Sequence, residues 1–209
     1  RSTLFPYTTL FRSIIAAVAS DGVFDASFAD RCSAVLSTDR GGQQVARAVV
    51  EIVTGQVNPS GKLVAPIPEY RNGQPERVQY PLGYGLSYTT FAYSHLQLTD
   101  RGATFTVTNT GVCDGYVTPQ LYIQRQAPQA KGILSGFTKL FLKKNDSAKV
   151  EIRFGPDTFR SFDEAKQVFR IANGEYNVYV GDSAGNLKLS GTLTLAEHKF
   201  DEEKPESKC

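Results

Sequence analysis

The chain has 209 residues, enough for one or two domains, and its 41% hydrophobic and 21% charged residues are the balance of an ordinary soluble globular protein. With 23 basic and 21 acidic residues the net charge is +2, which excludes a global electrostatic case for nucleic acid. No apolar run approaches the roughly 20 residues of a membrane helix, so no membrane partner is expected. Cys32, Cys113 and Cys209 are too few and too scattered for a disulfide framework or a zinc site, and unpaired thiols are expected. His95 and His198 are not set beside a candidate nucleophile, which argues against Ser-His or Cys-His catalysis.

Residues 1–13 (Arg1-Ser-Thr-Leu-Phe-Pro-Tyr-Thr-Thr-Leu-Phe-Arg-Ser13) do not fit the rest: they hold no acidic residue and no clear period. Thr3 to Ser13 can be back-translated codon by codon into a common sequencing adapter, so the segment is read as an artefact and set aside. A targeting peptide is the rival reading, but the stretch lacks the continuous apolar core of a signal peptide. The expectation that follows is a fragment.

Ile14-Ile-Ala-Ala-Val-Ala19 and Ser33-Ala-Val-Leu-Ser37 read as short strands, the first of them buried. Gly41-Gly42 then opens a predicted helix over 43–54, with Val45, Val49, Ile52 and Val53 on one apolar face and Gly55 as its stop. The double glycine lacks the spacing of a phosphate-binding loop and reads as a tight turn. Strand, strand, turn and helix are the grammar of an open α/β sheet, here an incomplete remnant over 14–66. Asn58-Pro-Ser-Gly is a turn cluster, and the proline-rich stretch after it reads as a long linker, taken as an ordered linker over 67–90.

From Phe91 the period changes to two. Alternation is expected over 92–98, over 103–108 with Ala103, Phe105 and Val107 on one face, and over 148–154 through Val150, Ile152 and Phe154. A strand over 116–124 carries Pro119, which suggests an edge or a bulge. Strands over 136–142, 168–171, 176–180 and 187–195 complete seven or eight at the spacing of an immunoglobulin- or fibronectin-type β-sandwich over 91–196. The absence of tryptophan disfavours a true immunoglobulin domain. Residues 197–209 are charged without apolar period and read as a disordered tail. The expected class is therefore mainly β, a fibronectin type III-like sandwich preceded by an incomplete α/β remnant.

One run is unlike all the others. Tyr80-Pro-Leu-Gly-Tyr-Gly-Leu-Ser-Tyr-Thr-Thr-Phe91 packs four aromatics, two glycines and a proline into an uncharged stretch. It reads as an ordered connector that lays aromatic side chains onto another surface. This run, with Asn58-Pro-Ser-Gly-Lys-Leu63 upstream and Val107-Thr-Asn-Thr-Gly111, Gln120-Leu-Tyr-Ile123, Gly136-Phe-Thr-Lys-Leu-Phe-Leu142 and Gly174-Glu-Tyr-Asn-Val-Tyr-Val-Gly181 downstream, resembles the C-terminal part of glycoside hydrolase family 3, the β-glucosidase and β-xylosidase family. The resemblance extends from about residue 14 to 195. It implies the end of the family's α/β second domain, a linker that crosses the catalytic barrel, and the fibronectin type III-like third domain.

The resemblance also implies a parent that hydrolyses terminal β-linked glucose or xylose with retention, using two carboxylates. The family's nucleophile lies on an N-terminal (β/α)8 barrel and its acid/base ahead of the strand that matches 14–19. No catalytic residue of this chain is therefore assigned, and no cofactor or metal ligand. The missing barrel is the expected partner, a β-glycoside the parent's substrate, and a secreted or periplasmic location the family's habit. Asp21, Asp25, Glu69 and Glu76 are loop acids read as solvated or capping. Tyr80, Tyr84, Tyr88 and Phe91 are the candidate site residues, either near substrate or, favoured, packed against the barrel and sandwich. Tyr116, Tyr122, Tyr176 and Tyr179 could form a carbohydrate platform on the sandwich, or simply build its core and face. The alternative to the enzyme fragment is a non-catalytic fibronectin-like module that binds carbohydrate or protein.

Overall fold

The computed structural model describes residues 13–199, apart from positions 21, 39–40, 72, 126–131, 156, 165–166 and 197. The segment set aside as adapter-derived, except Ser13, and the tail beyond residue 199 lie outside the described residues, as does Asp21. The chain divides into two compact units, Arg1–Gly85 and Leu86–Cys209, so the boundary falls inside the aromatic run.

In the first unit β1 (Ile15–Val18) runs parallel to β2 (Ala34–Ser37), with Ile15 opposite Ala34. The expectation of a buried first strand is corrected: Ile15 is 48% exposed, because a sheet of two strands has too few neighbours to enclose it. A 3-10 turn, Gly42–Gln44, leads into α1 (Val45–Val53). The predicted face is there, but no residue of α1 is buried, and Val53 is exposed. Gly55, at φ +76°, ends the helix in the left-handed conformation that a Cβ would penalise. A small core of Ala26, Ala29 and Ile67 gathers Phe24, Val35, Leu63 and Tyr80.

The stretch read as a linker carries regular structure. β3 (Ile67–Arg71) and β4 (Gln74–Tyr80) pair antiparallel, with register shifts at Ile67/Pro68 and Glu69/Tyr70. Prolines are tolerated because the ladder is two-stranded, leaving each strand an outer edge where no N–H is needed. The Asn72-Gly73 dipeptide is the hairpin signal that a proline count obscured; Gly73 takes φ +76°.

The second unit is a β-sandwich. β5 (Phe91–Thr99), β6 (Gly102–Asn109) and, later in the chain, β11 (Ser147–Arg153) form one sheet in the order β11-β6-β5. β7 (Gly115–Val117) pairs with β10 (Leu140–Leu142). The opposing sheet has the order β15-β14-β8-β9, built from β8 (Gln120–Arg125), β9 (Ile133–Phe137), β14 (Gly174–Ser183) and β15 (Asn186–Leu195). A further small sheet joins β12 (Arg160–Asp163), β13 (Val168–Ile171) and β16 (His198–Lys199). The β16 pairing lies within the stretch expected to be disordered; a backbone ladder needs no apolar period, so composition did not signal it.

The core comes from the inner faces of the two main sheets. Ala103, Phe105 and Val107 are at most 1% exposed, and meet Leu121, Val178 and Val180 at 0%. Pro119 divides the strand expected over 116–124 into β7 and β8, so the chain changes sheets at a fully buried proline. Alternation over 92–98 is also broken. A bulge between Ser94 and Gln97, with His95 at φ +57°, resets the register so that Tyr93, Leu96 and Leu98 all reach the core. Tyr176 Oη donates to the Ala172 carbonyl at 2.9 Å, a tie of the kind that tyrosine corners make in such sandwiches.

Candidate functional site

The two motifs of the first unit are laced together. The Leu63 N–H donates to the Tyr84 carbonyl and the Gly83 N–H to the Leu63 carbonyl, both at 2.8 Å. Lys62 Nζ donates to the Gly85 carbonyl, also at 2.8 Å. The approach is so close that a Cβ on residue 85 would stand 2.1 Å from the Gly61 carbonyl oxygen. Only glycine fits there. Gly83, at φ +77°, supplies the turn that returns the chain to Leu63, closed by the Tyr84 N–H donating to the Pro81 carbonyl at 3.1 Å.

This clasp sets the rings of Tyr80 and Tyr84 at 5.1 Å between centroids, tilted by 38°. Tyr80 packs on the Ala26, Ala29 and Ile67 core. Its phenol pKa is raised above the usual value by burial first, then by Tyr84, Asp30 and Cys32. Both rings are half-buried packing groups. Tyr88 and Phe91 belong to the second unit, where Phe91 packs on the sandwich core and Tyr88 is 47% exposed. The four candidate aromatics thus divide two and two between the units.

The loop acids have local roles. Asp25 Oδ1 accepts the Ser27 N–H at 2.9 Å, a turn of aspartate on its own backbone. Glu69 Oε2 accepts from Arg77 Nε across the β3–β4 hairpin, and that bond raises the Arg77 pKa further. Glu76 is exposed on β4. His95 does meet a hydroxyl, contrary to the expectation: its Nδ1 lies 2.8 Å from Ser94 Oγ. The contact joins chain neighbours on the exposed bulge and follows from the left-handed backbone of His95.

Of the sandwich tyrosines, Tyr122 and Tyr176 are core residues at 4% exposure, Tyr179 is half-buried and Tyr116 is 47% exposed. Tyr116 packs edge-on against Phe141 at 5.1 Å, 60° apart, with Lys139 Nζ 5.2 Å from its ring centroid. Rings so inclined and capped do not make a flat platform. Sequence reasoning passed over Asn109, read as a turn residue. It is wholly buried and ties the end of the aromatic run to the sandwich through Thr89.

Comparison with known proteins places these units. The Glycosyl hydrolase family 3 C-terminal domain matches residues 8–88, and the Fibronectin type III-like domain matches residues 117–184. The chain belongs to the C-terminal part of glycoside hydrolase family 3. The first match begins at residue 8, inside the stretch set aside above. The family 3 chain is 32% identical over 204 residues to probable beta-glucosidase K of Emericella nidulans, covering 81% of this chain and 24% of that protein. It is 30% identical over 207 residues to an exo-alpha-(1->6)-L-arabinopyranosidase of Bifidobacterium longum, covering 81% of this chain and 27% of that protein. Among solved structures, beta-glucosidase 3B of Thermotoga neapolitana in complex with alpha-D-glucose aligns with a TM-score of 0.80 at 27% identity, over 93% of this chain and 33% of that one. Beta-D-glucoside glucohydrolase of Trichoderma reesei also aligns with a TM-score of 0.80, at 25% identity, over 88% of this chain and 34% of that one. The chain thus spans about a quarter to a third of the length of these family 3 proteins.

Proposed function

We propose that this chain is the C-terminal scaffold of a family 3 glycoside hydrolase that releases terminal β-linked glucose or xylose with retention. The nucleophile and the acid/base belong to the remainder of the parent, a (β/α)8 barrel and the earlier part of the α/β domain. The observation that carries this reading is the clasp between Asn58-Pro-Ser-Gly-Lys-Leu63 and the start of the aromatic run, which ties together the end of the first unit. Asp25 and Glu69 are engaged in a local turn and a hairpin ion pair, consistent with structural rather than catalytic work. Retaining hydrolysis needs two carboxylates about 5–5.5 Å apart across a sugar site, whereas Asp25 accepts from the Ser27 backbone and Glu69 from Arg77. Tyr88 and Leu86, 47% and 71% exposed just past the clasp, are offered to the barrel as packing surface.

The test is hydrolysis of chromogenic β-glucoside and β-xyloside by the 209-residue chain and by the same chain extended upstream from its source gene. Turnover by the extended form alone is expected. Turnover by the short chain would overturn the scaffold reading and return attention to Asp21, Asp25, Glu69 and Glu76.

A further inference from the structure

The small sheet of the second unit is unevenly paired. On the β12 side every residue of β13 has a partner, from Val168 opposite Asp163 to Ile171 opposite Arg160. On the β16 side only Ile171, opposite His198, and Arg170, opposite Lys199, are paired. Among the described residues, Val168 and Phe169 therefore present an open strand edge, which is a template for further pairing.

The face beside that edge is apolar. Phe162 and Phe169 stand directly opposite each other across β12 and β13, so they share a face, where they are 47% and 51% exposed. Their rings meet at 5.1 Å, inclined by 60°. Arg160 lies on the same face and sets its guanidinium 5.1 Å from the Phe169 ring centroid, while Asp157 accepts a hydrogen bond from Arg160 Nη1. The two rings are thus held in position on the β12 side and left half in water.

The register names what covers them. β16 is antiparallel to β13, so each step past Lys199 moves one residue back along β13. Phe200 then falls opposite Phe169, and Asp201 opposite Val168. We propose that β16 continues through these two residues and docks the C-terminal segment on the β12–β13 hairpin, with Phe200 as the third ring of a row Phe162–Phe169–Phe200. Directly opposite residues share a face with Cβ atoms about 5 Å apart, within ring contact. Asp201 takes the other face, diagonal to Arg170, whose Nε donates to Asp163 Oδ2 at 2.8 Å. A second carboxylate beside that guanidinium is favourable. The ladder ends at Val168, where β13 begins, so the docked segment is 200–201. The docking concerns this chain's own sandwich and stands independently of what the parent hydrolyses.

The test uses the ¹³C,¹⁵N-labelled 209-residue chain. Nuclear Overhauser contacts between the ring protons of Phe200 and Phe169 are expected. Amide exchange at residues 168–169 and 200–201 should be about tenfold slower than in a Phe200→Ser variant, a change outside the sandwich core that leaves the fold intact. Phe169→Leu should release Phe200 in the same way. The proposal is overturned if Phe200 makes no ring contact with Phe169, or if Phe200→Ser leaves these exchange rates unchanged. It is equally overturned if the chain sediments as a dimer that Phe162→Ser dissociates, because a second copy would then cover the rings.

Discussion

Thr89 Oγ1 donates to Asn109 Oδ1 at 2.6 Å, and both side chains are buried. Asn109 spends its whole capacity here. Oδ1 also accepts the Gly111 N–H at 3.1 Å, while Nδ2 donates to the carbonyls of Cys113 at 2.9 Å and Leu142 at 3.1 Å. One amide thus joins the end of the aromatic run, the β6–β7 turn and β10. Asn109→Ala should cost about 3 kcal/mol or more, since it strands several buried polar groups at once, and lower the melting temperature by about 10 °C. Asn109→Asp keeps the shape but sets a carboxylate against two carbonyls. It should be worse than alanine at neutral pH and recover in acid, as the carboxyl protonates. Thermal melts of the sandwich at two pH values check both.

The clasp makes an asymmetric prediction about two glycines. Gly85→Ala drives a Cβ to within 2.1 Å of the Gly61 carbonyl, whereas a Cβ on Gly61 meets nothing within 4 Å. Gly85→Ala should therefore destabilise the first unit by about 2 kcal/mol or more, by strain and by loss of the laced hydrogen bonds. Gly61→Ala should change stability by about 0.5 kcal/mol at most, through the unfolded chain. Exchange of the Leu63 and Gly83 amides reads the difference: fast in the first variant, unchanged in the second.

The sandwich should weaken in alkali. Burial, with the Asp182 carboxylate adding to it, pushes the Tyr122 phenol up to about 12. The same two causes in the same order raise Tyr93, whose hydroxyl is buried without a hydrogen-bond partner among the described residues. Tyr122 Oη also donates to Gln120 Oε1 at 2.5 Å, a bond lost on ionisation. Between its ordinary value of 10.0 and about 12, the unfolded chain gives up the Tyr122 proton while the folded chain keeps it. Its contribution is thus fully present below pH 10 and is lost as the pH rises toward 12, at about 1.4 kcal/mol per pH unit. Denaturant unfolding from pH 9 to 11.5 should show the decline, and Tyr122→Phe should flatten it.

The exposed residues past the clasp separate packing from local stability. Leu86→Ser with Tyr88→Ser should leave the melting temperature of the 209-residue chain within about 2 °C, because Leu86 is mostly exposed and Tyr88 about half exposed there. In the upstream-extended protein the same pair should lower stability by about 2 kcal/mol or more, the cost of two large apolar side chains losing a covered surface. Equal effects in both forms would remove these residues from the proposed barrel contact.

Some elements were legible and others were hidden by identifiable causes. The Ala103, Phe105 and Val107 face and the Val150 and Ile152 face were read from alternation alone, and both are core. The bulge at His95 was missed because the periodicity of the stretch is interrupted by one residue, not abolished. The β3–β4 hairpin was missed because Pro68 and Pro75 argue against strands, and only a two-stranded ladder with free edges tolerates them. Of the candidate aromatics, Tyr80 and Tyr84, favoured as packing groups for the barrel and sandwich, lie against each other, and Tyr80 packs on the small core of the first unit. That the Thr89–Asn109 bond would carry the transition into the sandwich had no signal, since Asn109-Thr-Gly111 reads locally as a turn.

The amino-acid sequence by itself determined the class of each part. Period-two alternation dictates which face of a strand is apolar, glycine and proline dictate where the chain turns, and the two motifs carry the family. These are local properties, written within a few residues of where they act. Only the tertiary structure decided that residues 58–63 and 80–85 close on each other and that Pro119 marks a change of sheet. Such pairings join residues distant in the chain, and their energies come from close approach and shared burial, which no local pattern encodes.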